Sequence, residues 1–138
     1  MSQPLVVGAR ASIKKAFTSA DVEKFAQVSL DSNPIHLDEA AGAASIFKQR
    51  VVHGALVSSL FSAILGCDLP GEGTIFMGQT VQFKAPVFLD DEITASVEVT
   101  EIRARRAVVT FKLEAVNSEG KVVIAGEATV MAPKHLIA

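Results

Sequence analysis

The sequence predicts an α+β domain, an antiparallel β-sheet wrapped around a buried central α-helix. Between Gly54 and Leu65 the apolar residues Ala55, Leu56, Val57, Leu60, Phe61, Ala63, Ile64 and Leu65 fall on every face of a helix, which predicts burial all round. Beyond that helix the period changes to two: Ile93, Ala95, Val97 and Val99 alternate with Thr94, Ser96, Glu98 and Thr100. Val109, Phe111, Leu113 and Ala115 repeat the alternation, and the short turns between these stretches imply antiparallel pairing. One buried helix followed by a run of strands is not the alternation of a doubly wound nucleotide fold.

Each element has its own signal. Ala9 to Phe17 reads as a first strand, and Thr18 or Ser19 caps a helix from Ala20 to Leu30 with Val22, Phe25, Ala26 and Leu30 as its buried stripe. A kinked turn is predicted at Asn33-Pro34, because proline fixes its own φ and pushes the preceding residue out of the helical region. Asp38 or Glu39 starts a short helical segment through Ser45, whose alanines and Gly42 point to close packing or modest stability rather than chemistry. In the apolar helix Ser58 and Ser62 form a small polar edge, and Gly66 with Leu69-Pro70-Gly71 ends it. Thr74 to Phe83 is the next strand and leads into Pro86; Arg103 to Arg106 reads as a solvated hairpin turn. Asn117-Ser118-Glu119-Gly120 turns the chain into a last strand, Val122 to Met131.

Composition bounds the function. A chain of 138 residues reads as one domain, residues 1–138, short for enclosing a long substrate alone. With 49% hydrophobic and 20% charged residues it is expected to hide surface in an oligomer, a two-fold homodimer first. A net charge of −2 leaves no electrostatic footprint for nucleic acid. The single cysteine, Cys67, allows neither an intrachain disulfide nor a cysteine metal cluster and fits a reducing compartment. Met1 to Leu5 lacks the regions of a signal peptide, no apolar run is long enough for a membrane span, and the C-terminus is not a peroxisomal address, so a cytoplasmic location is expected.

The chemistry concentrates in Asp31-Ser32-Asn33-Pro34-Ile35-His36, where a turn can bring a carboxylate and an imidazole to one water molecule. A second landmark, Val52-His53-Gly54-Ala55-Leu56, opens the buried helix. The order and spacing of Asp31-x-Asn33-Pro34-x-His36-x-Asp38, Val52-His53-Gly54 and Gly78-Gln79-x-x-x-Phe83-x-x-Pro86-Val87 resemble the MaoC-like hot-dog proteins over nearly the whole chain. The nearest resemblance is to single-domain (R)-specific enoyl-CoA hydratases of the polyhydroxyalkanoate-pathway type. One departure is Leu30, at a position where many members carry Gly or an acidic residue.

The resemblance implies a hot-dog fold, a homodimer, and reversible syn hydration of trans-2-enoyl-CoA to (R)-3-hydroxyacyl-CoA. It implies no metal or redox cofactor, CoA arriving as part of the substrate. That chemistry needs a positioned water, a proton relay and a donor for the negative charge that develops on the thioester oxygen. Asp31 and His36 can supply the first two, His36 being the preferred base and Asp31 completing the relay, although either could take the proton from water. Gly54 supplies a helix-start N–H that a ligand oxygen can approach closely for want of a Cβ. Ser62 and Asn33 are further substrate-binding candidates, Ser62 reading equally well as a satisfied core hydroxyl. His53, placed before Gly54, could suit catalysis but reads first as a structural hydrogen-bonding residue at the helix start.

Lys84, Arg103, Arg105 and Arg106 are the cations available for CoA phosphates. The three histidines lack metal-ligand spacing, no Gly-x-Ser-x-Gly elbow is present, and Gly71-x-Gly73 reads as a loop. The rivals are a 3-hydroxyacyl dehydratase acting on acyl carrier protein, a hot-dog acyl-CoA thioesterase, and a non-catalytic acyl-binding subunit. Gly54 to Leu65 contains no Asp or Glu, which argues against a thioesterase with its carboxylate on the central helix.

Overall fold

Alternation along the strands builds one antiparallel sheet. β1 (Arg10–Ala16), β2 (Ile75–Phe83), β3 (Glu92–Arg103), β4 (Val108–Val116) and β5 (Val122–Met131) lie in the order β1-β3-β4-β5-β2. This is a computed structural model describing residues 4–137; the terminal readings at Met1–Gln3 and Ala138 lie outside the described residues. The predicted inward positions of β3 and β4 are all buried, with Ala95 opposite Ala115, Val97 opposite Leu113 and Val99 opposite Phe111. The expected turns are present: Arg103–Arg106 is an exposed loop-over, and the Asn117 side-chain oxygen accepts the N–H groups of Glu119 and Lys121.

Between β1 and β2 the chain forms α1 (Ser19–Ser29), α2 (Pro34–Leu37), α3 (Glu39–Ala44) and α4 (Gly54–Cys67). Thr18 is the N-cap of α1 and makes a full capping box: its hydroxyl accepts from Asp21 N at 3.2 Å, and the Asp21 carboxylate accepts from Thr18 N at 3.0 Å. We expect Thr18→Ala to cost about 1 kcal/mol, read from the urea midpoint. The Thr18 N–H, and then the Lys15 side chain, hold the Asp21 carboxyl below its ordinary value of 3.8. A depressed folded value means stability that is present above the unfolded value and lost as pH falls through the folded one. Asp21→Asn should therefore lower the urea midpoint at pH 7, with the gap to wild type closing below the ordinary value of 3.8.

Three expectations change. Leu30 was predicted in the buried stripe of α1 but is 83% exposed, because the helix ends at Ser29 and Leu30 caps it in the left-handed region at φ 70°. Asn33-Pro34 does not only break a helix: Asn33 is extended as expected (φ −55°, ψ 126°), and Pro34 then opens the short helix α2, since its fixed φ suits a first helical position. Helix α4 is not buried all round. Val57, Ser58, Leu60, Phe61, Ile64 and Leu65 pack into the sheet, while Ala55, Ser59, Ser62, Ala63, Gly66 and Cys67 leave one face open. Ser58 is buried and returns its hydroxyl to Ala55 O at 3.0 Å, so the polar edge expected from Ser58 and Ser62 does not form. Gly42 fulfils its reading, since a Cβ there would run into the backbone of Arg50.

Candidate active site

The Asp31–His36 loop is held by its own polar side chains. Ser29 Oγ accepts from Asp31 N at 3.1 Å, Asp31 Oδ1 from Asn33 N at 3.2 Å, and Asn33 Oδ1 from Ile35 N at 3.2 Å. Each side chain satisfies the N–H two residues on, as short polar residues do in turns. Asn33, a substrate-binding candidate, uses its amide oxygen as the N-cap of α2.

The ring of His36 is half-buried, and its Nδ1 lies 2.7 Å from Val51 O. A carbonyl only accepts, so Nδ1 carries the hydrogen and Nε2 presents a lone pair, as a general base must. A carboxylate oxygen of Asp31 and one ring nitrogen each of His36 and His53 lie within 4.8 Å of one another. A water making two hydrogen bonds of ordinary length spans roughly 4.5 Å between its partners, so Asp31 and His36 can share one.

His36 and Gly54 line one cavity of about 510 Å³, together with Val52, Phe83 and Lys84. Gly54 is the first residue of α4, where N–H groups have no carbonyl one turn back and the dipole favours negative charge. Its N-cap His53 makes no side-chain cap, because His53 Nε2 is turned to Asp31 O at 2.9 Å. A Cβ on Gly54 would meet Cε1 of Phe83 at 2.7 Å, and Phe83 is 56% exposed. Gly54→Ala keeps the backbone N–H but sets a methyl beside it; we expect it to displace this ring, leave circular dichroism unchanged and lower kcat, by at most the roughly 10²–10³-fold that a blocked oxyanion donor costs.

Not every candidate converges here. Ser62 sits on the open face of α4, eight residues and about 12 Å along the helix from Gly54, and does not line the cavity. Of the four cations only Lys84 lines it; Arg103 ends β3, and Arg105 and Arg106 occupy the exposed turn that follows. Sequence reasoning missed Arg50, which is 9% exposed and donates from Nε to His36 O at 2.8 Å, from Nη1 to Glu39 at 3.0 Å and from Nη2 to Ser19 Oγ at 3.2 Å. Its signal was faint: an arginine directly before the apolar pair Val51-Val52. Phe83 was quoted in the motif without a role, and only the tertiary fold sets it against Gly54.

Asp31, His36 and His53 are close enough to suggest a metal site, but their geometry does not suit one. The two imidazoles are stacked at 3.8 Å with 27° between planes. Lone pairs lie in the ring planes, so rings stacked this way aim side by side rather than at one ion. His36 Nδ1 and His53 Nε2 are also already bonded to backbone carbonyls.

A family model of the MaoC-like domain matches residues 6–120. The chain belongs to the MaoC-like family. Over 132 residues this MaoC-like chain is 45% identical to the (R)-specific enoyl-CoA hydratase of Aeromonas caviae, covering 96% of the chain and 98% of that relative. The solved (R)-hydratase from A. caviae, described as involved in PHA biosynthesis, superposes with a TM-score of 0.92, covering 96% of this chain and 100% of that one. The R-hydratase PhaJ1 of Pseudomonas aeruginosa is 42% identical, with a TM-score of 0.89 over 94% of this chain and 83% of its own. A mitochondrial 3-hydroxyacyl-[acyl-carrier-protein] dehydratase of Arabidopsis thaliana is 35% identical over 122 residues, 86% of this chain and 72% of that relative. The α+β architecture of this MaoC-like chain is thus the hot-dog fold.

Proposed function

We propose that the protein is an (R)-specific enoyl-CoA hydratase. One observation carries the reading: His36, with Nε2 left as an acceptor, stands within shared-water distance of Asp31 and lines the cavity that holds the Gly54 helix start. The 45% identity to a hydratase over almost the whole chain supports it. In the forward direction the water oxygen bonds to C3 as His36 Nε2 takes one of its protons and Asp31 holds the other hydrogen. Charge on the thioester oxygen is met by the Gly54 N–H. The proton held by His36 returns to C2 on the same face, directly or across Asp31, and the enzyme is restored. No metal or redox cofactor enters this sequence; CoA is part of the substrate, with Lys84 the cation placed to meet it, and Ser62 and Asn33 lie outside the reacting pair.

The chain, read as one domain, works as a homodimer in this proposal. Ile75, Met77 and Phe83 of the edge strand β2 are 58%, 54% and 56% exposed, and the open face of α4 offers small residues against which a second copy can pack closely. No helix among the described residues is long and apolar enough to cross a membrane, and neither membrane nor nucleic acid is a proposed partner. The cytoplasm is the proposed location.

Incubation with crotonyl-CoA tests the reading. Loss of enoyl-thioester absorbance with formation of (R)-3-hydroxybutyryl-CoA and no free CoA is expected. Thiol release instead would make the protein a thioesterase. Turnover confined to carrier-protein thioesters would make it a 3-hydroxyacyl-ACP dehydratase.

A further inference from the structure

His53 is 1% exposed and belongs to neither reacting group, yet its ring touches both halves of the site. Its Nε2 lies 2.9 Å from Asp31 O, so Nε2 carries the hydrogen and donates it. One face stacks on His36 at 3.8 Å, and the ring meets Phe25 of α1 edge-on at 4.8 Å. Its Nδ1 is buried with no partner among the described residues, a position a hydrocarbon edge would fill at less cost. The imidazole at this site is therefore explained by what Nε2–H does, not by burial alone.

His53 also closes a continuous strip of contacts. Arg50 donates to His36 O at 2.8 Å, Val51 O receives the His36 Nδ1–H at 2.7 Å, and Val52 N is fixed to Val87 O at 2.8 Å. Residues 50–53 thus hold the loop from one side while anchored to residue 87 on the other. Of the side chains in this strip, His53 reaches the backbone of Asp31 and the ring of His36 together.

We propose that His53 is a positioning residue for the reaction: its Nε2–H fixes the Asp31 backbone while its stacked face fixes the plane of the His36 ring, setting the distance across which one water is shared. This rests on the hydratase reading, which makes Asp31 and His36 the reacting pair. His53→Phe keeps the ring and its packing but removes the donor; His53→Gln returns an amide N–H near the position of Nε2. We expect His53→Phe to lower kcat on crotonyl-CoA by roughly 10–100-fold, the scale of an ångström misplacement, with KM within about twofold of wild type. His53→Gln should recover a large part of that loss although its Tm is no higher than that of His53→Phe, a pattern that a purely structural role would not give. Wild-type kcat in His53→Phe, or no recovery in His53→Gln, would overturn the proposal.

Long-range 1H–15N spectra of the three histidines need no substrate and report tautomers directly. His53 as Nε2–H and His36 as Nδ1–H are expected, and a His53 carrying its hydrogen on Nδ1 would overturn the proposal. An inactive wild-type protein showing the expected tautomers would sink the hydratase reading while the brace on Asp31 and His36 stood.

Discussion

His36→Ala is expected to lower kcat for hydration by about 10²–10⁴-fold, the usual worth of a positioned general base. The substitution removes the Nε2 acceptor that takes the proton from water in the proposed reaction, and it leaves Val51 O without the Nδ1–H it receives at 2.7 Å. The second loss costs roughly 1–3 kcal/mol of stability and must be separated from the first. Turnover is therefore measured per folded protein, with folding followed by circular dichroism because the chain has no Trp or Tyr. Near wild-type kcat in a folded variant would mean that His36 is not the base.

Asp31→Asn is the sharper companion experiment. The Asn33 N–H bonds to Oδ1 of Asp31 at 3.2 Å, and an asparagine retains that acceptor, so the turn should survive. What disappears is the negative charge that, in the proposed reaction, orients the water. We expect a fall in kcat of about 10²–10⁴-fold with little change in Tm. Asp31→Ala removes the turn acceptor as well, so the Tm difference between the two variants measures what the turn contributes, apart from chemistry. A fully active Asp31→Asn protein would remove the carboxylate from the relay.

The strands were legible because a period of two is a local property: the alternation in β3 and β4 fixes which side chains face inward wherever the sheet lies. Capping was legible for the same reason, Thr18 and Asp21 being three residues apart. Leu30 misled because the stripe argument assumes that the helix continues, and one left-handed residue turned its side chain outward. The open face of α4 was hidden by Ala and Ser, whose small side chains sit equally well inside a core or against a neighbour. At the candidate site, the turn carrying Asp31 and His36 and the helix start at Gly54 were legible from local signals. The tautomer of His36, the stacking of His53 and the reach of Arg50 could not, since they join residues 11 to 31 positions apart through the folded chain.

The strip at residues 50–53 bears on how the site opens. Asp31 is exposed and its loop lies at the surface, where rapid amide exchange is the default. Yet Ile35 and His36 are bonded within the loop, Val51 N donates to Ile35 O at 3.3 Å, and Val52 N donates to Val87 O. Releasing the loop therefore means detaching a segment that is also secured to Val87 and Phe88 and runs directly into α4. The amides of Ile35, His36, Val51 and Val52 should consequently exchange together, with a single opening free energy close to that of the central helix. A surface loop with the protection of a core element would present the groups of the proposed reaction already in place, and substrate capture would not wait for it to close.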